Sequence, residues 1–195
     1  LDVYAGVLAE NPALNPRRLR IEHFSYASQK DIRRAAHHAV LLCIQPGFVW
    51  PNDEGLTMED SRVGRENSAG AYAFASLADL GAVMTGSSDD YTLPQHPLWN
   101  FYAAATRMNP QGKPPGGWHP EERLPRQAAL QLFTDFAEPG GGVTRGMLRE
   151  DAVADFVVLS GNPLKVAEDE ILKIQVIATI RAGAVTHGAA ALAAR

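Results

Sequence analysis

Three short apolar runs, each separated from the next by a helical pattern, constrain the fold of this chain more than any other feature of its sequence. They occupy residues 19–23, 40–44 and 82–85, and the first alternates apolar with polar side chains as a strand does. A strand and helix repeated at intervals of roughly 20 to 40 residues is typical of parallel βα units with right-handed crossovers. The sequence therefore predicts an α/β fold built on a parallel sheet.

Helices are predicted between and after these strands. Ser28 can cap a first helix, with Asp31 three residues further on, and a second helix carries apolar residues from Ala69 to Leu80 and stops at Gly81. A loop of roughly twenty residues is predicted to precede the second helix. Two more helices are expected at 97–108 and 125–137.

The pattern changes after the glycines at 140–142. Residues 154–159 and 174–181 read as strands, and Ala182-Gly183 allows a tight reversal into a third strand at 184–187. This end of the chain is therefore predicted to be a small antiparallel β element.

Polar side chains follow each of the three strands of the predicted parallel sheet. His23, Gln45 and Asp89 all come at or just after a strand end, and active groups of parallel βα folds collect at that edge. One imidazole and one carboxylate there are consistent with two ligands of a zinc-like ion, or with a base and its orienting partner. Spacing alone also allows a structural His and a turn-forming Asp.

Six segments in the same order carry a resemblance to a known family. The segments are Arg-Ile-Glu-His at 20–23, Cys-Ile-Gln-Pro at 43–46, Gly-Ala-Tyr-Ala-Phe at 70–74, Gly-Ser-Ser-Asp at 86–89, Ala-Asp-Phe-Val-Val-Leu at 154–159 and Val-Ile-Ala-Thr-Ile at 176–180. In these segments the chain resembles the C-terminal portion of the amidohydrolase superfamily, in the branch called amidohydrolase family 3, which includes YtcJ-like metal-dependent hydrolases.

This resemblance implies the C-terminal part of a (β/α)8 TIM-like barrel, about strands 6 to 8, at residues 1–140. Residues 141–195 would then form the C-terminal β element of a small composite β-sandwich. The implied activity is hydrolysis of a C–N bond in an amide or N-acyl substrate by metal-activated water. His23 would be a metal ligand, and Asp89 both a ligand and the general base. One or two divalent metals are expected in the complete enzyme, zinc before iron, manganese or nickel.

The family pattern is also incomplete in this sequence. Its ligands on barrel strands 1, 4 and 5 have no counterpart here, because the homologous region starts after strand 5. The alternative is therefore a catalytically inert fragment, or a subunit whose partner supplies strands 1 to 5. The turn after the third strand is one residue longer than the usual Gly-Ser-Asp, so either Asp89 or Asp90 could be the ligand, and Asp89 is favoured.

Substrate contacts are expected from Gln45, Trp50 and His119, with Trp118 as a further candidate for an apolar pocket wall. Simple loop packing is the alternative for the tryptophans. Cys43 lies inside an apolar run and is predicted to be a buried small side chain rather than a nucleophile.

Composition narrows the expected partners and location. There are 18 basic and 22 acidic side chains, a net charge of −4, and no long run of either sign, which gives no basis for nucleic-acid or membrane binding. A lone cysteine suits a reducing, cytoplasmic setting. The chain opens in a helical pattern without Met, so a missing N-terminal region is expected. The expected partners are a small amide-like substrate and either that missing half or a second copy of the chain.

Overall fold

The computed structural model of the protein describes residues 1–52, 56–89, 96–134, 146 and 148–193, and within them the chain forms two three-stranded sheets, one parallel and one antiparallel. The strands are β1 (Arg20–Glu22), β2 (Leu41–Ile44), β3 (Met84–Gly86), β4 (Phe156–Leu159), β5 (Val176–Arg181) and β6 (Ala184–His187). The helices are α1 (Asp2–Glu10), α2 (Gln29–His38), α3 (Met58–Val63), α4 (Phe74–Asp79), α5 (Pro97–Thr106), α6 (Arg126–Thr134) and α7 (Ala189–Ala193).

The parallel sheet has the order β1-β2-β3, with Arg20 opposite Leu41 and Leu42 opposite Met84. Its central strand is almost wholly buried, as expected of a strand covered on both faces. All three strands end at the same border of the sheet. This border, called the carboxyl edge below, consists of His23, Gln45 and Ser87 and the residues that follow them.

Helix α2 confirms the predicted cap. The Ser28 hydroxyl accepts a hydrogen bond from the backbone N–H of Asp31 at 3.1 Å, and Ile32 and Ala35 face the core. The helix ends where Ala39 takes a left-handed conformation. Val40 then begins the buried run that becomes β2.

The connection between β2 and β3 differs from the prediction in two places. Helix α3 lies in the stretch expected to be a loop, and it starts with a capping box formed by Thr57 and Asp60. The helix expected from Ala69 begins only at Phe74, because Tyr72 has a φ of 51° and interrupts it. The Tyr72 N–H instead donates to the carbonyl of Ser25 at 2.7 Å, which ties this connection to the loop after β1.

The core lies between the parallel sheet and its helices, and α5 is its most buried helix. Helix α5 ends at Arg107, and α6 is described as far as Thr134. Gly86 of β3 lies directly under the ring of Phe133 on α6, where an added Cβ would be 2.6 Å from two ring carbons. The sheet and α6 therefore approach closely at the end of β3.

The antiparallel sheet has the order β4-β5-β6, as predicted for the end of the chain. Ala182 and Gly183 make the reversal with φ values of 47° and 79°, and Asp155 Oδ1 accepts the N–H of Ala182 at 2.7 Å. The expected division between residues 140 and 141 falls outside the described residues and stays a prediction. None of the described helices is both long and apolar enough to cross a lipid bilayer.

Candidate functional site

The carboxyl edge is held together by backbone hydrogen bonds that continue past the strand ends. The N–H of His23 donates to the carbonyl of Cys43 at 2.9 Å, and the N–H of Ser87 donates to the carbonyl of Ile44 at 2.9 Å. The predicted residues His23 and Gln45 therefore lie at the ends of adjacent strands, and Asp89 follows the third strand by three residues.

His23 is exposed and sits in a left-handed backbone conformation with a φ of 68°. Few residues other than glycine adopt this conformation, and such positions occur often at functional sites. Its imidazole stacks on the ring of Phe48, with centroids 5.9 Å apart and planes inclined by 8°. Phe48 lies on a short 3-10 helix, Pro46–Val49, which is fixed where Asn100 Oδ1 accepts the N–H of Gly47 at 2.9 Å.

Asp89 is also exposed and left-handed, with a φ of 51°. Asp90, the alternative ligand, lies outside the described residues, so the choice between the two stays a prediction. Within the described part of the chain, neither the imidazole of His23 nor the carboxylate of Asp89 takes part in a hydrogen bond or ion pair. Both side chains are exposed to solvent at the carboxyl edge.

These two side chains fit a divalent metal only in part. Imidazole nitrogen and carboxylate oxygen are suitable donors for zinc and similar ions, but a catalytic zinc is usually held by three protein ligands. The described residues contain no group of three or more His, Cys, Asp or Glu side chains that could hold a metal. His23 and Asp89 are therefore candidates for two ligands of a larger set.

Gln45 is buried at the end of the central strand, with 2% of its surface exposed. Its Nε2 donates to the hydroxyl of Ser87 at 3.0 Å and to the carbonyl of Cys43 at 3.2 Å. Its Oε1 is also buried and has no hydrogen-bond partner among the described residues. Gln45 therefore connects β2 to the turn that leads to Asp89.

Trp50 ends the 3-10 helix that carries Phe48. Its ring is partly buried and packs against Trp99 of α5, with centroids 5.7 Å apart. The indole N–H of Trp50 is buried and lacks a partner within the described structure. A substrate contact by Trp50 stays a prediction.

A polar cluster that the sequence did not reveal centres on Asp60. Its Oδ2 accepts the indole N–H of Trp118 at 2.8 Å and the N–H of Thr57 at 3.1 Å, and its Oδ1 accepts the hydroxyl of Ser68 at 2.6 Å. Burial would raise the pKa of the Asp60 carboxyl, but the hydrogen bonds outweigh it and hold the pKa below its ordinary value. The Thr57-x-x-Asp60 spacing was the sequence signal for the capping box.

Trp118 and His119 differ in their suitability for substrate contact. Trp118 is 2% exposed and packs in the core, in agreement with the packing alternative, and its role as a pocket wall stays a prediction. His119 packs against it and has partners at both nitrogens, with Nε2 3.4 Å from the hydroxyl of Ser68 and Nδ1 3.0 Å from Glu121 Oε1. A substrate contact by His119 stays a prediction.

Arg107 is fully buried although sequence reasoning did not single it out. Its guanidinium lies near the rings of Phe74 and Trp118, at 5.5 and 4.9 Å from their centroids. Nε donates to the carbonyl of Trp118 at 2.6 Å, and Nη1 donates to the carbonyl of Tyr72 at 2.9 Å. Burial lowers the pKa of Arg107 to about 10. The residue ties α5 to the connection between β2 and β3.

A fold of this kind, with candidate ligands at the carboxyl ends of parallel strands, is typical of α/β enzymes. A model of the amidohydrolase family matches residues 1–187. The chain therefore belongs to the amidohydrolase family, in the branch named amidohydrolase family 3, and the predicted membership is confirmed.

Two curated relatives match nearly all of this chain. It is 27% identical over 187 residues to YtcJ of Bacillus subtilis (strain 168), a match that covers 93% of this chain and 34% of YtcJ. It is 25% identical over 181 residues to the N-substituted formamide deformylase of Arthrobacter pascens, covering 92% of this chain and 32% of that enzyme. The chain thus spans about a third of the length of these relatives.

A solved structure supports the same assignment. The crystal structure of an uncharacterized metal-dependent hydrolase from Pyrococcus horikoshii OT3 matches with a TM-score of 0.60 at 26% identity. The match covers 76% of this chain and 30% of that one. The mixed α/β character predicted from the sequence is consistent with this neighbour.

Proposed function

We propose that this chain carries part of the active site of a metal-dependent hydrolase that cleaves the C–N bond of an amide or N-acyl substrate. The observation that carries the proposal is that His23 and Asp89 lie at one edge of a parallel sheet in an amidohydrolase-family chain, exposed and without a hydrogen bond or ion pair from their side chains within the described structure. The relative that deformylates N-substituted formamides supports an N-acyl amine as the substrate class.

Each residue has a defined part in the proposed chemistry. His23 and Asp89 would hold a divalent metal, zinc in the first place, and the ion would supply a water whose pKa is lowered towards about 7. Asp89 is also the general base. Its carboxylate accepts a proton from the attacking water and returns it to the leaving amine. Gln45, Trp50 and His119 are the candidate substrate contacts.

The proposed scaffold is a segment of a (β/α)8 barrel. The parallel order β1-β2-β3 supports it, because consecutive strands pair in sequence as they do around a barrel. The antiparallel sheet β4-β5-β6 would belong to a small sandwich completed by other polypeptide. In that arrangement, the remaining metal ligands come from strands 1 to 5 of the barrel.

A second candidate is that the chain is inert by itself and works only with a partner polypeptide. The observation that favours it is that the described residues contain no group of three or more His, Cys, Asp or Glu side chains that could hold a metal, whereas a catalytic zinc usually has three protein ligands. An edge strand such as β1 can also pair with a strand of another chain.

Metal content per chain tests both candidates. Desalted wild-type protein and the variants His23→Ala and Asp89→Ala are compared by plasma mass spectrometry, with His37→Ala and Asp79→Ala as matched controls on exposed helix positions. About one metal ion per chain, lost in the site variants and kept in the controls, is the expected result. Metal that persists in His23→Ala would contradict the assigned site.

A wild-type chain without metal would favour the second candidate. The chain is then mixed with polypeptide carrying barrel strands 1 to 5 of a family member. Metal binding that appears only in the mixture, and not with His23→Ala, would support a shared site.

A further inference from the structure

The exposed imidazole of His23 stacks on a phenylalanine ring instead of bonding to a polar group. Metal-binding histidines usually donate their second ring N–H to a carboxylate or a carbonyl, which fixes the plane of the ring. Within the described residues the imidazole of His23 has no such hydrogen bond, and it stacks on Phe48. The ring centroids lie 5.9 Å apart and the planes are inclined by 8°, which is an offset-stacked arrangement that aromatic pairs favour.

The backbone of His23 fixes only the start of its side chain. Its N–H donates to the carbonyl of Cys43 at 2.9 Å. The N–H of Phe24 donates to the carbonyl of Glu22 at 2.9 Å, so His23 is the central residue of a γ-turn, with a φ of 68°. Turns of this kind with a positive φ are rare and strained. The turn sets the direction of the Cα–Cβ bond but not the rotation about the side-chain bonds, so a second contact has to set the plane of the ring.

Phe48 supplies that contact from a position that is fixed by the core. It belongs to the 3-10 helix after β2, and its own N–H donates to the carbonyl of Gln45 at 3.1 Å. The preceding N–H, that of Gly47, donates to Oδ1 of Asn100, which is 2% exposed on the buried helix α5. The stacked ring is therefore attached to the most rigid part of the fold and not to a free loop.

We infer that Phe48 is a positioning residue, which holds the imidazole plane of His23 so that a ring nitrogen is ready to bind a metal. This inference rests on the proposed function, in which His23 is a metal ligand. The lone pair of an imidazole nitrogen lies in the plane of the ring, so an ion is bound in that plane. A ring that rotates freely loses this freedom when it binds an ion, whereas a stacked ring has already lost it.

NMR spectroscopy of the full chain measures the orientation of the imidazole without any metal. With isotope-labelled histidine, the ring signals of His23 are those that disappear in His23→Ala. A stacked aromatic ring displaces these signals from their positions in the urea-unfolded chain. Spectra are recorded at about pH 9, above the range in which imidazoles usually titrate, so that protonation does not contribute. Nuclear Overhauser contacts between the rings of His23 and Phe48 are expected in the wild-type chain.

The variant Phe48→Leu removes the ring but keeps a branched apolar side chain. The signals of His23 are expected to move towards their unfolded positions in this variant and to stay displaced in Phe48→Tyr. Phe156→Leu is the matched control, because Phe156 is another solvent-accessible phenylalanine. It lies in a cleft lined by the first residues of β1, β2 and β3, at the opposite end of these strands from His23. Circular dichroism checks that each variant is folded.

Zinc affinity separates positioning from simple packing. Zinc is titrated into each chain, and the ring signals of His23 report the dissociation constant. Loss of a residue that orients a metal ligand weakens metal binding by about 10- to 100-fold, so a weakening of about tenfold is expected for Phe48→Leu. Phe48→Tyr and Phe156→Leu should bind zinc as the wild-type chain does.

Absence of contacts between the two rings in the wild-type chain would overturn the inference whether or not the variants fold. Unchanged signals of His23 in a folded Phe48→Leu chain would also overturn it. A zinc affinity that stays the same although the signals move would do so as well, because Phe48 would then pack against His23 without positioning it. Zinc that binds to none of the chains would instead count against the proposed metal site, and the imidazole signals would still decide whether Phe48 holds the ring.

Discussion

The contact between Gly86 and Phe133 gives the most direct prediction about stability. An added Cβ on Gly86 would lie 2.6 Å from Cε1 and Cζ of Phe133 and 3.1 Å from Cβ of Leu132. Carbon atoms in contact are normally about 3.5–4.0 Å apart, so the ring has to move by about 1 Å. Extra methyl groups in packed interiors destabilise by about 1–3 kcal/mol.

Two further effects set the size of the change for Gly86→Ala. Replacing glycine with alanine restricts the unfolded chain and by itself raises the free energy of unfolding by about 0.4–1 kcal/mol. This gain applies because Gly86 does not have the positive φ that would strain an alanine. The ring of Phe133 is only partly buried and can shift to some extent. The free energy of unfolding is therefore expected to fall by about 1–2 kcal/mol.

Urea unfolding followed by tryptophan fluorescence and circular dichroism measures this change. Gly6→Ala is the matched control, because no atom lies within 4 Å of its Cβ position in helix α1 and the substitution should stabilise by about 0.5–1 kcal/mol. The double variant Gly86→Ala with Phe133→Leu lacks both clashing ring carbons. Its loss of stability is therefore expected to be about 1 kcal/mol smaller than the sum of the losses in the two single variants. A Gly86→Ala chain as stable as the wild type would refute the packing argument.

Two other side chains give predictions that depend on pH and burial. Asp60→Asn should lower the free energy of unfolding at pH 7 by about 1–3 kcal/mol, because a charged acceptor of three hydrogen bonds is lost. The pKa of Asp60 is lower in the folded chain, so its contribution is complete above the unfolded value near 3.9 and is lost as the pH falls through the folded value. A wild-type advantage that grows on acidification would contradict this sign. Burial also raises the pKa of the Cys43 thiol, so a disulfide reagent at pH 8 should modify about one thiol per chain only after unfolding. Rapid labelling of the native chain would contradict this, because it would mean that the Cys43 thiol in β2 is accessible to the reagent in the folded state.

The parallel sheet could be predicted from the sequence because its signals are local. Apolar runs and the Ser28 cap define β1, α2 and β2 to within a residue or two, and the polar residues at the strand ends identify the carboxyl edge. The predicted burial of Cys43 is confirmed for the same reason, since it follows from the apolar run around it.

Features that depend on distant contacts could not be predicted. Tyr72 leaves the helical conformation and bonds to Ser25, 47 positions earlier in the chain, and no neighbouring residue indicates this. The burial of Trp118 depends on Asp60, 58 residues away, which accepts its indole N–H. Arg107 follows a helix of buried residues, and only the folded chain supplies the two carbonyls and two rings that surround it.

These distant contacts explain how loops after separate strands are held over one edge of the sheet. The backbone hydrogen bond between Tyr72 and Ser25 joins the connection that follows β2 to the connection that follows β1. Arg107, at the end of α5, donates a hydrogen bond to the Tyr72 carbonyl and so joins α5 to the connection that follows β2. Functional residues on loops need such support if they are to keep a fixed geometry. Supporting residues and contacting residues should then respond differently to substitution. Changes at Arg107 should lower stability, whereas changes at the exposed residues His23 and Asp89 should alter ligand binding and leave stability nearly unchanged.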